Sequence, residues 1–173
     1  MSRVKLVAVL KAVTVVCLFI LILALGGCAS SVSVPTETSK KEAAFAVESF
    51  AKTLSEFNNL SDTFQAYLGD LSSGDVDLDL YRARLESLHN KVLDLSANTK
   101  SLELAAQYKA AHDMLVTAVV YLEGSILSVI TYFDDHDNSL LTLAKNEYKQ
   151  ALRAAYLAEK ELKKQAKKDG YQE

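Results

Sequence analysis

Residues 43–72 have the sequence AAFAVESFAKTLSEFNNLSDTFQAYLGDLS, in which apolar residues recur at alternating steps of four and three. The series is Ala43, Val47, Phe50, Leu54, Phe57, Ser61, Phe64, Leu68 and Leu71. Ser61 is its only polar member. This spacing aligns the series in one stripe along a helix, so the sequence predicts a long helix that ends near Ser73-Gly74.

Three further apolar stripes with the same spacing follow this helix. They are Leu78, Tyr81, Leu85, Leu88, Val92 and Leu95; then Leu104, Tyr108, Ala111, Leu115, Ala118, Leu122, Ser125, Val129 and Tyr132; then Leu141, Ala144, Tyr148, Ala151, Ala155, Ala158 and Leu162. Polar segments at residues 98–101 and 134–138 separate the last three stripes. The pattern predicts an all-α fold, an antiparallel up-down four-helix bundle with long helices.

The first and fourth stripes differ in side-chain size. Phenylalanines on the first and alanines on the fourth recur at the same seven-residue spacing: Phe50, Phe57 and Phe64 against Ala158, Ala151 and Ala144. Large residues that face small ones fill a core at native density. We therefore expect the first and fourth helices to be neighbours.

The N-terminal segment carries a targeting pattern. Arg3, Lys5 and Lys11 precede an uninterrupted apolar run at residues 12–25, and Leu25-Gly26-Gly27-Cys28 follows. The segment resembles the signal peptide of a bacterial lipoprotein, with Leu25, Gly26 and Gly27 as the lipobox. The resemblance implies cleavage before Cys28 and attachment of a diacylglycerol to its thiol. The alternative is an uncleaved anchor helix at residues 6–27.

Three regions follow from this resemblance: a signal peptide at residues 1–27, a lipidated cysteine with a flexible tether at 28–39, and a four-helix domain at 40–173. Both forms of the anchor place the domain on the extracytoplasmic side of the membrane. The location is the outer face of the cell membrane, or the outer membrane if the organism has two membranes. The sequence leaves the type of envelope open.

Removal of the signal peptide changes the charge and the cysteine content. It leaves 146 residues and moves the formal net charge from −3 to −6, because the segment carries three bases and no acid. An acidic domain does not suit nucleic acid, which requires a basic face. Cys17 leaves with the signal and Cys28 takes lipid, so disulfides, thiol catalysis and cysteine metal sites are excluded.

Motifs for metal binding and catalysis are missing from the sequence. A di-iron bundle requires two Glu-x-x-His pairs, and this sequence has only one, Glu86 with His89, because no glutamate stands three residues before His112 or His136. His112 is typical of a residue at the edge of the core. Asp75, Asp77, Asp79 and Glu86 match part of a calcium loop, but Leu80 replaces the required glycine. We expect no enzymatic activity, no metal and no cofactor.

The third helix carries apolar residues on two sides. Opposite its inward stripe lie Val116, Val120, Leu127 and Ile130, at steps of four and three interrupted by Glu123. A contiguous exposed apolar patch generally marks a contact site. This predicts a contact face for an envelope protein or a second copy of the chain. The alternative is that the third helix is more central than a regular bundle makes it.

The fourth helix ends in a cluster of lysines: Lys160, Lys163, Lys164, Lys167 and Lys168. Cations suit a helix C-terminus, which is one interpretation of the cluster. The other interpretation is a basic end that faces anionic headgroups, because four antiparallel helices return the chain to the level of its anchor.

The function we expect is protein–protein binding or scaffolding at the cell envelope, by a non-enzymatic lipoprotein anchored in the membrane through lipid. The alternative is a small-ligand receptor or carrier with a pocket inside the bundle. It is suggested by small or hydroxyl-bearing residues at core positions: Ser61, Ala111, Ala118 and Ser125 beside Tyr108, Tyr132 and Tyr148.

Overall fold

The computed structural model describes residues 35–73 and 77–171, and over these residues the chain forms four α-helices and no strand. The helices are α1 (Glu37–Ser73), α2 (Leu78–Lys100), α3 (Lys109–Asp135) and α4 (Asn138–Lys168), with a short 3-10 turn at Ala106–Tyr108 before α3. The predicted all-α fold is confirmed.

The interior is filled by residues of the four predicted stripes. Phe50, Phe57 and Phe64 are fully buried, as are most stripe residues of the other helices. Several stripe residues are half-buried, and Leu78, at the start of α2, is the one that is exposed, at 56%. Tyr81, one turn later, closes this end of the core instead, with its ring in contact with two other aromatic rings.

Helix α1 begins at Glu37, three residues before the predicted start of the domain. Thr36 caps it: the Ser39 backbone N–H donates to Thr36 Oγ1 at 3.2 Å, and the Lys40 N–H donates to the Thr36 carbonyl at 3.1 Å. Such a cap satisfies N–H groups that have no partner within the helix. The last residues of the predicted tether are therefore helical.

Helix α2 continues through most of the segment predicted as a turn at residues 98–101. Thr99 is fully buried, and its hydroxyl donates to the Leu95 carbonyl at 2.7 Å, so Thr99 is a helical core residue. The connection begins at Ser101, and Leu104 precedes the 3-10 turn rather than lying in α3. The polar composition of this segment predicted a break in the helix. The sequence alone does not show that Thr99 is buried and that its hydroxyl bonds to a carbonyl of its own helix.

A turn of two residues joins α3 to α4, as the acidic segment predicts. His136 adopts a left-handed conformation with φ of 52°, and its N–H donates to the Tyr132 carbonyl at 2.8 Å. Asp137 then caps α4 by accepting from the Ser139 N–H at 2.8 Å and from the Ser139 hydroxyl at 2.7 Å. These hydrogen bonds stabilise the carboxylate and hold the pKa of Asp137 below its usual value.

Helices α1 and α4 are in direct contact, as their complementary stripes predict. The hydroxyls of Ser61 and Tyr148 lie 3.0 Å apart, and the Tyr148 ring packs edge-on against Phe64 at a centroid distance of 5.5 Å. The large and small residues also share core clusters: Phe57 and Phe64 lie in one with Ala144 and Ala151, and Phe50 lies in the other with Ala158.

Within the described residues, one helical segment is long and apolar enough to cross a membrane. It covers Ala106–Asp135, and half of its most apolar window is buried inside the protein. Core helices of soluble domains share this property.

Candidate interaction surface

The predicted contact face is only partly exposed. Val120 and Leu127 each expose 48% of their surface, and Val116 is half-buried. Ile130 is 9% exposed and belongs to the larger core cluster, so it is not part of the exposed face. Phe133, about one turn later on α3, packs against the ring of Tyr81 in α2.

A groove of about 500 Å³ separates α3 from α4 on the surface. Apolar and small residues line most of it: Ala110, Met114, Thr117 and Tyr121 of α3, with Ala154 and Leu157 of α4. The short side chains at residues 110 and 154 leave room between the two helices. Tyr121, which follows Val120 in α3, lines the wall of this groove.

Charged groups border this groove. Lys109 Nζ donates to both carboxylate oxygens of Asp113 at 3.0 Å, which holds the pKa of Asp113 below its usual value. Arg153, also on the border, is exposed and makes no ion pair with the described residues. An apolar centre with a polar border is the arrangement that protein interfaces use.

We call Val120, Tyr121 and Leu127 of α3, together with Leu157 of α4, the α3 surface. All four side chains are exposed, although each is large and apolar or aromatic. Tyr121 and Leu157 were missed by the sequence analysis, which followed a single outward stripe. The sequence signal for them is a large apolar or aromatic residue outside the inward stripe of each of the two neighbouring helices.

The two helices approach closely behind the α3 surface. A Cβ atom at Gly124 would lie 3.0 Å from Glu147 Oε1, and Ser128 Oγ donates to Glu147 Oε2 at 3.0 Å. A larger side chain at residue 124 would displace this carboxylate. The glycine therefore lets α4 pack directly against α3 at this level.

The hydroxyls proposed to surround an internal pocket already have partners. Tyr148 Oη lies 3.0 Å from Ser61 Oγ, 3.2 Å from the Ser61 carbonyl and 3.3 Å from Gln65 Oε1. Ser125 Oγ donates to the Ala144 carbonyl at 2.6 Å. These groups hold α4 against α1 and α3, and they are not left without partners for a ligand.

Tyr108 and Tyr132 also have internal contacts. Tyr108 is buried, and its hydroxyl donates to Asp169 Oδ2 at 2.6 Å. Burial and this carboxylate raise the pKa of Tyr108 above its usual value, because both disfavour the phenolate. The ring of Tyr132 packs against Phe133 and His136.

The three histidines lie apart from one another in the fold. His112 Nε2 is 2.7 Å from the Thr99 carbonyl, which agrees with a residue at the edge of the core. His136 forms the turn before α4, and His89 is half-buried with no hydrogen-bond partner for Nε2 among the described residues. The described residues contain no group of three ligating side chains placed to hold a metal ion.

The predicted basic end of α4 is exposed. All five lysines, Lys160, Lys163, Lys164, Lys167 and Lys168, are exposed to solvent. Lys163 pairs with Glu159 at 2.9 Å, and Lys164 pairs with Glu161 at 2.9 Å. Exposed pairs of this kind contribute little to stability, so they leave the lysines available to other anions.

The lipobox residues Leu25, Gly26 and Gly27, the lipidation site Cys28, and the acidic residue Asp75 lie outside the described residues. Asp77, from the same acidic segment, caps α2 by accepting from the Leu80 N–H at 3.1 Å. Comparison of the chain with protein-family models, with curated proteins and with solved structures gave no match.

Proposed function

We propose that this chain is a lipid-anchored extracytoplasmic lipoprotein without enzymatic activity, which acts by binding another protein or by scaffolding at the cell envelope. The observation that carries the proposal is the α3 surface. Val120 and Leu127 are each nearly half exposed, and Tyr121, the residue after Val120, is exposed and lines the groove against α4. Contiguous exposed apolar area on a globular domain marks a contact site.

The partner is an envelope protein or a second copy of this chain. The groove is open along the surface and bordered by two helices, which suits an apolar helix laid into it. Asp113 on its border supplies a charge that orients such a helix.

The domain is proposed to be an antiparallel up-down four-helix bundle. Residue numbers in the contacts between neighbouring helices rise along one helix and fall along the other, which supports this arrangement. The contacts are Pro35 with Gly170 and Ser61 with Tyr148 for α1 and α4, and Arg82 with Asp134 and Thr99 with His112 for α2 and α3.

The cellular location rests on the N-terminal resemblance alone. The basic segment, the apolar run and Leu25-Gly26-Gly27-Cys28 occur in the order that lipoprotein precursors use. A lipidated Cys28 and an uncleaved anchor predict the same side of the membrane.

The internal ligand pocket is the less favoured function. Ser61, Ser125, Tyr108 and Tyr148, the residues that suggest it, are hydrogen-bonded within the protein. A ligand at these positions has to break those bonds before it gains any of its own.

Charge substitution on the α3 surface tests the proposed function. The full chain with Val120→Glu and Leu127→Glu is expressed in its own cell type and treated with a cross-linker. Phe45→Glu and Leu80→Glu together form the matched control, because these residues are similarly exposed on α1 and α2. We expect the cross-linked complex to disappear in the first variant and persist in the control, with both variants unfolding at similar temperatures. A complex that survives in both variants contradicts the proposal.

A further inference from the structure

Helix α4 carries a basic face along most of its length. Its exposed residues are Lys145, Lys149, Arg153, Lys160, Lys163, Lys164, Lys167 and Lys168. At 3.6 residues per turn they occupy one arc of about 140° around the helix. The three acids of α4, Glu147, Glu159 and Glu161, lie outside this arc and are half-buried. The predicted basic end is thus one part of a longer face.

The other helices are acidic or close to neutral, and α2 carries four bases and three acids. Helix α1 carries six acids and three bases, and α3 carries four acids and one base. Helix α4 carries eight bases and three acids, in a chain whose formal net charge is −3. Positive charge is therefore concentrated on one side of the domain.

Most of the basic face has no ion pair with the residues that the structure describes. Only Lys163 and Lys164 have ion pairs with acids of α4, each at 2.9 Å. The other six bases have no carboxylate within 4.0 Å among the described residues. Tyr156 lies within the same arc and is 62% exposed. Tyrosine between lysines is typical of a helix that contacts a membrane interface.

The C-terminal end of the basic face lies beside Pro35, where the chain enters the domain. A Cβ atom at Gly170 would be 2.8 Å from Pro35 Cβ and 3.3 Å from Lys40 Cε, so the end of α4 packs against the start of α1. Pro35 follows Cys28 by seven residues, and seven residues span at most about 25 Å. The proposed anchor therefore enters the domain at the end of α4 that carries Lys167 and Lys168.

We propose that the basic face of α4 lies along the anionic headgroups of the membrane that holds the anchor, so that the domain rests on its side. This inference rests on the proposed lipid anchor. It goes beyond a basic end, because Lys145 is about 35 Å from Lys168 along the helix axis. A domain that stands on its end leaves Lys145 and Lys149 far from the bilayer, and one that lies on α4 brings them to it.

Lysine labelling on vesicles tests this orientation. The full chain, lipidated in bacterial cells, is reconstituted in vesicles of phosphatidylcholine or of phosphatidylcholine with about 30% phosphatidylglycerol. A membrane-impermeant amine reagent is added, and the rate at each lysine is measured by mass spectrometry. Lys52 on α1 and Lys91 on α2 are exposed lysines outside the face and act as internal controls.

We expect Lys145, Lys149 and Lys160 to be labelled several-fold more slowly on the anionic vesicles, with Lys52 and Lys91 unchanged. The protection is expected to disappear in about 1 M salt, because the attraction is electrostatic and screened. Protection of only Lys160, Lys163, Lys164, Lys167 and Lys168 overturns the side-on orientation. Equal labelling rates on both kinds of vesicle overturn the proposed membrane contact. The anionic partner of this face is then an acidic protein.

Charge reversal supplies a second measurement. Lys145→Glu, Lys149→Glu and Arg153→Glu together are expected to restore the labelling of Lys160 to its rate on neutral vesicles. The matched variant, with Lys52→Glu, Arg84→Glu and Lys91→Glu, also changes three exposed bases and is expected to keep Lys160 protected. Retained protection in the first variant overturns the inference.

The anchor itself is measured separately by flotation of the vesicles. A chain that does not float with neutral vesicles contradicts the proposed lipoprotein and the inference that rests on it. A chain that floats but shows no protection contradicts the inference alone.

Discussion

Pro35, two residues before α1, packs against Gly170, two residues after α4. Two features of Gly170 permit this contact. Its φ is +84°, which side chains other than glycine rarely adopt, and a Cβ atom there would lie 2.8 Å from Pro35 Cβ. The contact brings the basic end of α4 to the place where the chain enters the domain.

Replacement of Gly170 by alanine is expected to lower the free energy of unfolding by about 1–2 kcal/mol, because of the left-handed backbone and the collision with Pro35. Gly69→Ala is the matched control. Gly69 is exposed within α1 with nothing within 4 Å of its missing Cβ, so alanine is expected to stabilise the protein by about 0.5–1 kcal/mol. Urea unfolding measures both changes. Equal effects of the same sign would show that the Gly170 contact does not constrain the domain.

The hydrogen bond between Ser61 and Tyr148 is expected to couple α1 to α4. Tyr148→Phe removes the hydroxyl that lies 3.0 Å from Ser61 Oγ, and we expect a loss of about 1 kcal/mol. Ser61→Ala and Tyr148→Phe together are expected to cost less than the sum of the two single changes, by about 0.5–1 kcal/mol. A double-mutant cycle in urea measures this difference. Strict additivity would mean that the two hydroxyls do not interact.

Stability is expected to fall at alkaline pH. Burial raises the pKa of Tyr81 and of Tyr108 above the usual value, and Asp169 adds to the effect at Tyr108. The folded state therefore holds these two protons more tightly than the unfolded chain. The contribution is complete below about pH 10 and is lost as the pH rises further, by at most about 1.4 kcal/mol per pH unit for each group.

Urea unfolding between about pH 8 and pH 11 measures this alkaline slope. The double variant Tyr81→Phe and Tyr108→Phe is less stable at neutral pH, but its stability is expected to depend less on pH above about pH 10. An unchanged slope in the double variant would show that other groups cause the alkaline loss.

Lipid attachment at Cys28 is the prediction that decides the location. Cys28→Ser is expected to leave the signal segment uncleaved and the N-terminal peptide without diacylglycerol, because lipid transfer needs the thiol. Mass spectrometry of the N-terminal peptide from wild-type and variant chains measures both properties. A wild-type chain without lipid that begins at Met1 would support the uncleaved anchor instead.

Helix positions were predictable from the sequence because burial repeats with the helical period. The stripe from Ala43 to Leu71 and the size difference between Phe57 and Ala151 were enough to place α1 and to predict its contact with α4. Helix ends were less predictable. Thr99 resembles a turn residue, yet its hydroxyl bonds to the Leu95 carbonyl inside α2.

The candidate surface was predictable only in part. Val120 and Leu127 are exposed, but Ile130 is buried in the core, since the edges of a helix are covered according to how its neighbours lie. The groove with Tyr121 and Leu157 needs both α3 and α4 in place before it exists. No spacing within one helix reveals it.

The α3 surface as a contact site is the central claim, and site-specific photocross-linking in cells tests it most directly. A photoreactive residue is placed singly at Val120, at Leu127 or at Leu80, the last of which is similarly exposed on α2. We predict a discrete cross-linked product, either a dimer or one partner protein, from Val120 and Leu127 but not from Leu80. No product at Val120 and Leu127, or the same products from all three positions, would contradict the claim.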